Sequence, residues 1–190
     1  MVEGTAETGV SPRLSVVIPC HNEAFHILSL LDALVGQDVP PFEIIVADGL
    51  SDDGTPAIVR QFGQEHPETS IRLVNNPPRS IPAALNLAIR TARADRIVRL
   101  DGHSLPKPDY LRLCQQVKEE TKADVVGGVW EIVPGAAGLI PDAIALAAGS
   151  PMGAGDAQYR LRSTAVAGPV DTVPFGCFDR DTWQAVEGYD

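Results

Sequence analysis

The chain has 190 residues, 44% of them hydrophobic and 21% charged, and a formal net charge of −10. That size and balance predict a single globular domain with a sizeable core, and the acidic balance argues against nucleic-acid binding through a basic face. Cys20, Cys114 and Cys177 stand far apart with no CxxC pair, so neither a disulfide framework nor a zinc site is suggested and a reducing cytosol fits. No apolar run approaches the ~18 residues of a membrane span.

Residues 1–12, MVEGTAETGVSP, are small, polar and acidic, lack the features of a signal peptide, and read as a disordered leader. LSVVIP (14–19) is an apolar, β-branched run stopped by proline, which predicts a buried strand. Ile27, Leu28, Leu31, Leu34 and Val35 then fall on one helical face. FEIIVAD (42–48) predicts a second buried strand. Thr55-Pro56 places a capping residue before a proline at the first helical position, and Ile58, Val59 and Phe62 mark the helix. IRLV (71–74) is the third strand. Ser80 caps a helix through IPAALNLAIRTA, with Pro82 tolerated in its first turn. RIVRLD (96–101) is the fourth strand. Tyr110, Leu111, Leu113, Cys114 and Val117 mark another helix, and ADVVGGVW (123–130) another strand.

Strands alternating with helices imply right-handed βαβ units and a mainly parallel sheet covered on both faces. Ligands of such sheets bind at the carboxyl ends of the strands. The chemistry is therefore expected in residues 19–23, 48–55, 75–80 and 101–104. From about 134 the composition turns to Gly, Ala and Pro, with a short apolar helix near 139–148. This stretch reads as an insertion over the open edge, mobile or dependent on a partner. VDTVPFGCF is then a short strand or turn, and DRDTWQAVEG a final helix with Gly188 as its C-cap.

Each loop has a plain reading and a functional one. PCHNEA (19–24) lacks the GxGxxG of a dinucleotide-binding unit, which argues against a dehydrogenase. Asn22 and Glu23 are expected to open the first helix, as cap and first-turn acid. Asp53 reads as a cap with Thr55. Asp48 comes too early to cap, and its carboxylate would suit the N–H of a uracil ring. Arg79 is either a surface arginine or a phosphate contact at the start of its helix. Asp101 and His103 flank Gly102. In an extended segment they would point the same way, as two metal ligands or as a hydrogen-bonded pair; Asp-Gly is also common in turns.

LSVVIPCHNE, EIIVADGLSDDGT, AALNLAI and IVRLDGH together resemble, in order and spacing, the N-terminal half of family 2 glycosyltransferases of the GT-A fold. The resemblance covers about residues 13–130. VDTVPFGCFDRDTW…GYD is similar to the bacterial succinoglycan-type exopolysaccharide glucosyltransferases. The resemblance implies a Rossmann-like three-layer α/β/α sandwich, with 13–130 the nucleotide-sugar-binding half and 131–190 the start of an acceptor-side region. It implies an inverting transferase that moves a sugar from a nucleotide donor, UDP-glucose or similar, to a saccharide or lipid-linked acceptor. The expected place is the cytoplasm, with the full-length protein at the cytoplasmic face of the inner membrane. Pro19, His21, Glu23, Asp48, Arg79 and Asp101 would contact the nucleotide. Asp101 matches the first acid of the family's Asp-x-Asp motif, and His103 stands where its second, metal-binding acid belongs. The expected cofactor is a divalent ion, Mn²⁺ or Mg²⁺; imidazole in place of carboxylate makes the ion's identity an open question. The family's general base follows a Gly-Tyr/Phe-Asp segment and is expected beyond Asp190. Within the chain Asp171 is the fallback, beside Asp156, Asp179 and Asp181. Two other readings are a non-catalytic nucleotide-sugar-binding domain and a sugar nucleotidyltransferase, though the latter wants a glycine-rich basic loop where PCHNEA stands.

Overall fold

A computed structural model of the chain describes residues 14–38, 43–155, 157–160 and 167–190. The expected leader and Asp156 lie outside the described residues. Strand β1 (Ser15–Cys20) and strand β2 (Glu43–Asp48) are buried at every position. This explains their continuous apolar runs, since a central parallel strand is covered on both faces. Helix α1 (Ile27–Val35) joins them. Helix α2 (Thr55–Glu65) leads to β3 (Ser70–Asn75), and α3 (Ile81–Thr91) to β4 (Arg96–Arg99). Then come α4 (Tyr110–Thr121), the two-residue β5 (Val125–Val126), α5 (Leu139–Ala148), α6 (Pro151–Ala154), a 3₁₀ turn (Gln158–Arg160), β6 (Cys177–Asp179) and α7 (Arg180–Ala185).

The sheet order is β3-β2-β1-β4-β6-β5. The first four strands run parallel, and β6 pairs antiparallel with both β4 and β5. Leu30, Leu31 and Leu34 of α1, Phe62 of α2 and Leu111 of α4 pack on one face with Val16, Ile18 and Ile44. Leu85 and Ile89 of α3 pack on the other with Val17, Ile45 and Ile97, joined at the margin by Trp183 of α7. The result is the expected three-layer α/β/α sandwich. Register fixes where the loops emerge. Cys20 is level with Asp48, and Asp48 with Asn75, so the first three strands end together.

Several expectations change. In α1, Leu30 joins Ile27, Leu31 and Leu34 in the core, while Leu28 is 47% exposed. Helix α2 is capped by Gly54, at φ 96°, and not by Thr55. The fourth strand stops at Arg99, because Ser104 N–H donates to the Asp101 carbonyl and closes a turn (3.0 Å). The strand expected over 123–130 is only Val125–Val126. Beyond it Gly127 crosses the 173–175 segment so closely that a Cβ would sit 2.5 Å from Val173 Cγ1 and 2.8 Å from the Pro174 carbonyl oxygen. In α4, Leu113 and Val117 are each 41% exposed and Lys118 is buried instead. Its ammonium donates to the Ala123 and Asp124 carbonyls, both at 3.0 Å. Helix α7 ends before Gly188. Glu187 N–H bonds the Gln184 carbonyl and Gly188 N–H the Trp183 carbonyl, both at 3.0 Å, the pattern of a Schellman turn with Glu187 at the left-handed position.

Candidate active site

A cleft opens at the carboxyl ends of the parallel strands. Its walls are Pro19, His21 and Glu23 after β1, Gly49 after β2, Asn76, Arg79 and Ser80 after β3, and Asp101, Gly102 and His103 after β4. All four loops expected to carry chemistry therefore meet in one place.

The first two loops are laced together. Asn22, at φ 56°, donates its N–H to Ser51 Oγ (2.8 Å); its side-chain amide donates to Asp52 Oδ1 (3.0 Å) and accepts from the Asp52 N–H (3.1 Å). Glu23 N–H donates to Thr55 Oγ1 (2.9 Å) and Ala24 N–H to Asp53 Oδ2 (2.8 Å). The Thr55 hydroxyl first, and then backbone N–H groups of Ala24 and Thr55, hold the Asp53 carboxyl below its usual range. Asn22 and Glu23 therefore do not open α1. The helix begins at Ile27, and the Glu23 carbonyl accepts from the His26 and Ile27 N–H groups.

Asp48 is 2% exposed and lies behind the wall that Gly49 forms. Ser51 occupies both of its oxygens, N–H to Oδ2 at 3.0 Å and hydroxyl to Oδ1 at 2.6 Å. Beside it, burial pushes the Cys20 thiol up to about 12, with the Asp48, Glu23 and Asp53 carboxylates adding to the effect. Cys20 is thus a filler of the cleft floor and not a nucleophile.

The third loop is shaped around Asn76, a residue that sequence reasoning passed over although it directly follows β3. Asn76 is 3% exposed; its N–H donates to the Asp48 carbonyl (2.7 Å) and its amide to the Ser80 carbonyl (3.0 Å). Arg79 N–H closes the loop onto the Asn76 carbonyl (3.0 Å) with φ at 58°. Ser80 caps α3, its Oγ accepting from Ala83 N–H. The Arg79 guanidinium carries no bond or ion pair among the described residues, and it stands where α3 presents the positive end of its dipole.

Asp101 and His103 sit in a turn and do not project side by side from a strand. Arg99 Nη2 lies 3.1 Å from Asp101 Oδ1, and His103 Nδ1 lies 2.9 Å from Glu23 Oε1. Gly102 leaves room for the Glu23 side chain, since a Cβ would fall 2.8 Å from Glu23 Cγ and displace it. The Arg99 contact was readable from the i, i+2 spacing; the Glu23 contact spans 80 residues and was not. A carboxylate only accepts, so Nδ1 of His103 carries the proton and the Nε2 lone pair stays open. Asp101 Oδ2 likewise carries no hydrogen bond or ion pair among the described residues. No three His, Cys, Asp or Glu side chains gather tightly enough to hold an ion among the described residues. The donor set fits a divalent ion that substrate oxygens also grip, and does not fit one held by protein alone.

The acids downstream stand elsewhere. Asp171 is exposed and off the cleft wall, and so is Asp181 in the first turn of α7. Asp179 is paired with Arg96 (3.1 Å) and Lys118 (3.2 Å). The final Gly-Tyr-Asp is pinned to α3 by Asn86, which accepts from Tyr189 N–H (2.9 Å) and donates to its carbonyl (2.8 Å). Burial raises the Tyr189 phenol, with the Arg99 charge beside it opposing the rise.

A family model described as "Glycosyl transferase family 2" matches residues 15–173. The chain belongs to glycosyl transferase family 2. It is 32% identical over 181 residues to the succinoglycan biosynthesis protein ExoA of Rhizobium meliloti, covering 92% of this chain and 52% of that relative. It is 33% identical over 123 residues to the glycosyltransferase AglE of Haloferax volcanii, covering 64% of this chain and 40% of the relative. Among solved structures it resembles the mannosyltransferase PcManGT of Pyrobaculum calidifontis in complex with GDP-Man and Mn²⁺, at TM-score 0.70 and 27% identity over 96% of this chain and 48% of that one. It shares its fold with TarS 1–349 of S. aureus in complex with UDP, at TM-score 0.58 and 23% identity over 67% of this chain and 38% of that one. The chain spans about half the length of the relative ExoA and of PcManGT.

Proposed function

We propose that this chain is the donor-binding part of an inverting glycosyltransferase that moves a hexosyl group from a nucleotide sugar, UDP-glucose or a similar donor, to a saccharide or lipid-linked acceptor in exopolysaccharide or cell-surface glycan synthesis. One observation carries the reading: the four loops of the family's motifs line a single cleft at the strand ends. Residues 13–130 are the nucleotide-sugar half and 131–190 the start of the acceptor side.

Arg79 and the start of α3 receive the diphosphate oxygens, a charge-assisted pairing at a helix N-terminus. The backbone at Pro19 and His21 lines the base, and Asp48 accepts the base N–H by releasing one oxygen from Ser51. Asp101 Oδ2 and His103 Nε2 would hold a divalent ion, Mn²⁺ or Mg²⁺, with Glu23 orienting the imidazole. The chemistry such an ion would supply there is neutralisation of the charge on a departing nucleoside diphosphate. Asp101 is itself held by Arg99 through Oδ1, which leaves Oδ2 for the ion. The acceptor hydroxyl needs a general base on the opposite face of the sugar. Among the described residues, Asp101 and Glu23 are the only carboxylates on the cleft wall, and both serve the donor side. Asp171 is the residue to test as that base within this chain.

UDP and GDP are the sharpest test, because PcManGT is seen with GDP-Man and TarS with UDP. UDP with Mn²⁺ is expected to raise the thermal midpoint, UDP alone less, and GDP least, since only ligands that prefer the native state stabilise it. Equal shifts for both nucleotides overturn the donor assignment, and no shift with either overturns the site.

A further inference from the structure

The stretch between Trp130 and Tyr159 differs from the rest of the surface. Residues 132–155 hold one charged side chain, Asp142, in a chain that is 21% charged. Helix α5 sits at its centre, and its amphipathicity is inverted. Pro141, Ala145 and Ala148 are the half-buried positions. Leu139, Ile140, Ile144 and Leu146 are 89%, 75%, 63% and 77% exposed, and Met152 of α6 is 98% exposed. At 3.6 residues per turn the four large side chains of α5 spread over about 160° of its surface, with Ala143 and Ala147 inside the same arc. A surface helix of a protein facing only water shows the reverse, and an exposed apolar patch of this kind marks an interaction surface.

The base of the stretch says what covers it. Trp130 N–H donates to the Tyr159 carbonyl (2.7 Å), and the two rings lie 4.9 Å apart. Trp130 also stacks on Phe175 at 5.0 Å, and the Arg160 guanidinium lies over both Trp130 and Tyr159, at 5.5 and 5.6 Å. An exposed apolar projection whose one charge is Asp142 thus stands on a half-buried collar of Trp, Tyr and Arg, in which Trp130 Nε1 and Arg160 Nε have no hydrogen-bond partner among the described residues. A bilayer interface selects that order of groups: apolar side chains among the acyl chains, amphipathic rings at headgroup depth, and a cation against the lipid phosphates. At 10 residues α5 is too short to span a bilayer, which takes ~20. A second copy of the chain would bring to the collar cation only Asp142 from its own projection.

We propose that the α5–α6 projection docks this protein on a zwitterionic phospholipid bilayer, with Leu139, Ile140, Ile144, Leu146 and Met152 in the interface and Trp130, Tyr159 and Arg160 at headgroup level. The net charge of −10 opposes binding to anionic membranes. Apolar burial therefore carries the affinity, and salt changes it little. The inference stands apart from the donor-site reading.

The test is co-flotation with phosphatidylcholine vesicles. The chain has two tryptophans, so a Trp183→Phe background leaves Trp130 as a reporter of the collar. The protein is expected to float, to shift its Trp130 emission to shorter wavelength, to do so equally in high salt, and to bind less as phosphatidylserine is added. Changing Leu139, Ile140, Ile144 and Leu146 together to Ser is expected to weaken partitioning by at least about tenfold. Met152→Glu, at a side chain with no packing to lose, is expected to weaken it too. Thermal stabilisation by UDP, measured in the same proteins, is expected to stay the same, so a failed donor site and a failed lipid site are separately visible. Wild-type protein that does not float, variants that float equally, or a doubled mass in sedimentation that the Ser variant abolishes would overturn the proposal.

Discussion

The two ends of the central sheet use polar groups in opposite ways. At the amino ends of the strands, Glu43 is 0% exposed and fully engaged. It accepts from the Ser15 hydroxyl (2.6 Å), the Arg93 N–H, Arg72 Nη2 (2.6 Å) and Arg93 Nε (2.9 Å). The two arginines continue to the Thr91 carbonyl and the Ser70 hydroxyl, both at 2.8 Å, and only Arg72 Nε is left without a partner there. At the carboxyl ends of the same strands, the Arg79 guanidinium is free among the described residues, and Asn22, Leu50 and Arg79 sit in the left-handed region that side chains disfavour. One end spends its charges on holding α3, β1, β2 and β3 together. The other keeps charge and strain available for a ligand.

Breaking the closed end has the largest expected effect. Glu43→Ala leaves the Ser15 hydroxyl and the Arg93 N–H without their buried acceptor and takes the counter-charge from the part-exposed Arg72 and Arg93, which costs about 2–4 kcal/mol. Denaturant unfolding is expected to show that loss, while UDP affinity of the protein that remains folded is unchanged. A fall in affinity without a fall in stability would erase the contrast between the two ends.

Acid titrates the same end. Burial alone would raise the Glu43 carboxyl, but the Ser15 and Arg93 hydrogen bonds and the Arg72 charge outweigh it and hold the group at about 2, against an ordinary 4.5. The folded value is the lower one. Its contribution is therefore complete above about pH 4.5 and is lost as pH falls from there toward 2. The shift amounts to about 3 kcal/mol. Stability measured from pH 6 to pH 2 is expected to fall more steeply in the wild type than in Glu43→Gln, whose neutral amide has no such titration. Parallel curves would remove Glu43 from the acid response.

Next in size comes Arg79→Ala at the open end. With no protein partner to lose, the unliganded fold is expected to stay within about 0.5 kcal/mol of wild type. A lost charge-assisted contact to phosphate is worth roughly 1.5–3 kcal/mol, so UDP affinity is expected to drop about 10- to 100-fold by calorimetry. Equal affinity would move the diphosphate away from α3.

How far the sequence could be read follows the same division. The strands of the closed core were legible because burial on both faces leaves a continuous β-branched run, as in Val16-Val17-Ile18 and Ile44-Ile45-Val46. The cleft was legible as four loops because parallel topology gathers strand ends by itself. What escaped depended on contacts between distant segments. Glu23 reaches His103 only after β1 and β4 pair. Lys118 is buried because its ammonium finds two carbonyls where α4 turns into β5. Leu30 replaces Leu28 because several helical faces satisfy the same apolar spacing. In the 123–130 segment the alternation of the sequence was real, but Gly127 is drawn against Val173 and Pro174, and the ladder stops.

The smallest expected effect separates the two ends most sharply, because it has opposite signs for stability and binding. Arg79 holds φ at 58°, where a Cβ costs roughly 1–2 kcal/mol and glycine costs little. Part of that gain is returned through the larger backbone entropy of glycine in the unfolded chain, about 0.5–1 kcal/mol. Arg79→Gly is therefore expected to stabilise the unliganded protein by up to about 1 kcal/mol relative to Arg79→Ala, while both variants lose UDP affinity to the same extent. The Arg79 N–H bond to Asn76 is backbone and survives either change. Thermal unfolding with and without UDP, run on the three proteins together, reads both quantities. A glycine variant no more stable than the alanine variant would show that the left-handed turn is not strained, and the open end would then differ from the closed one in charge alone.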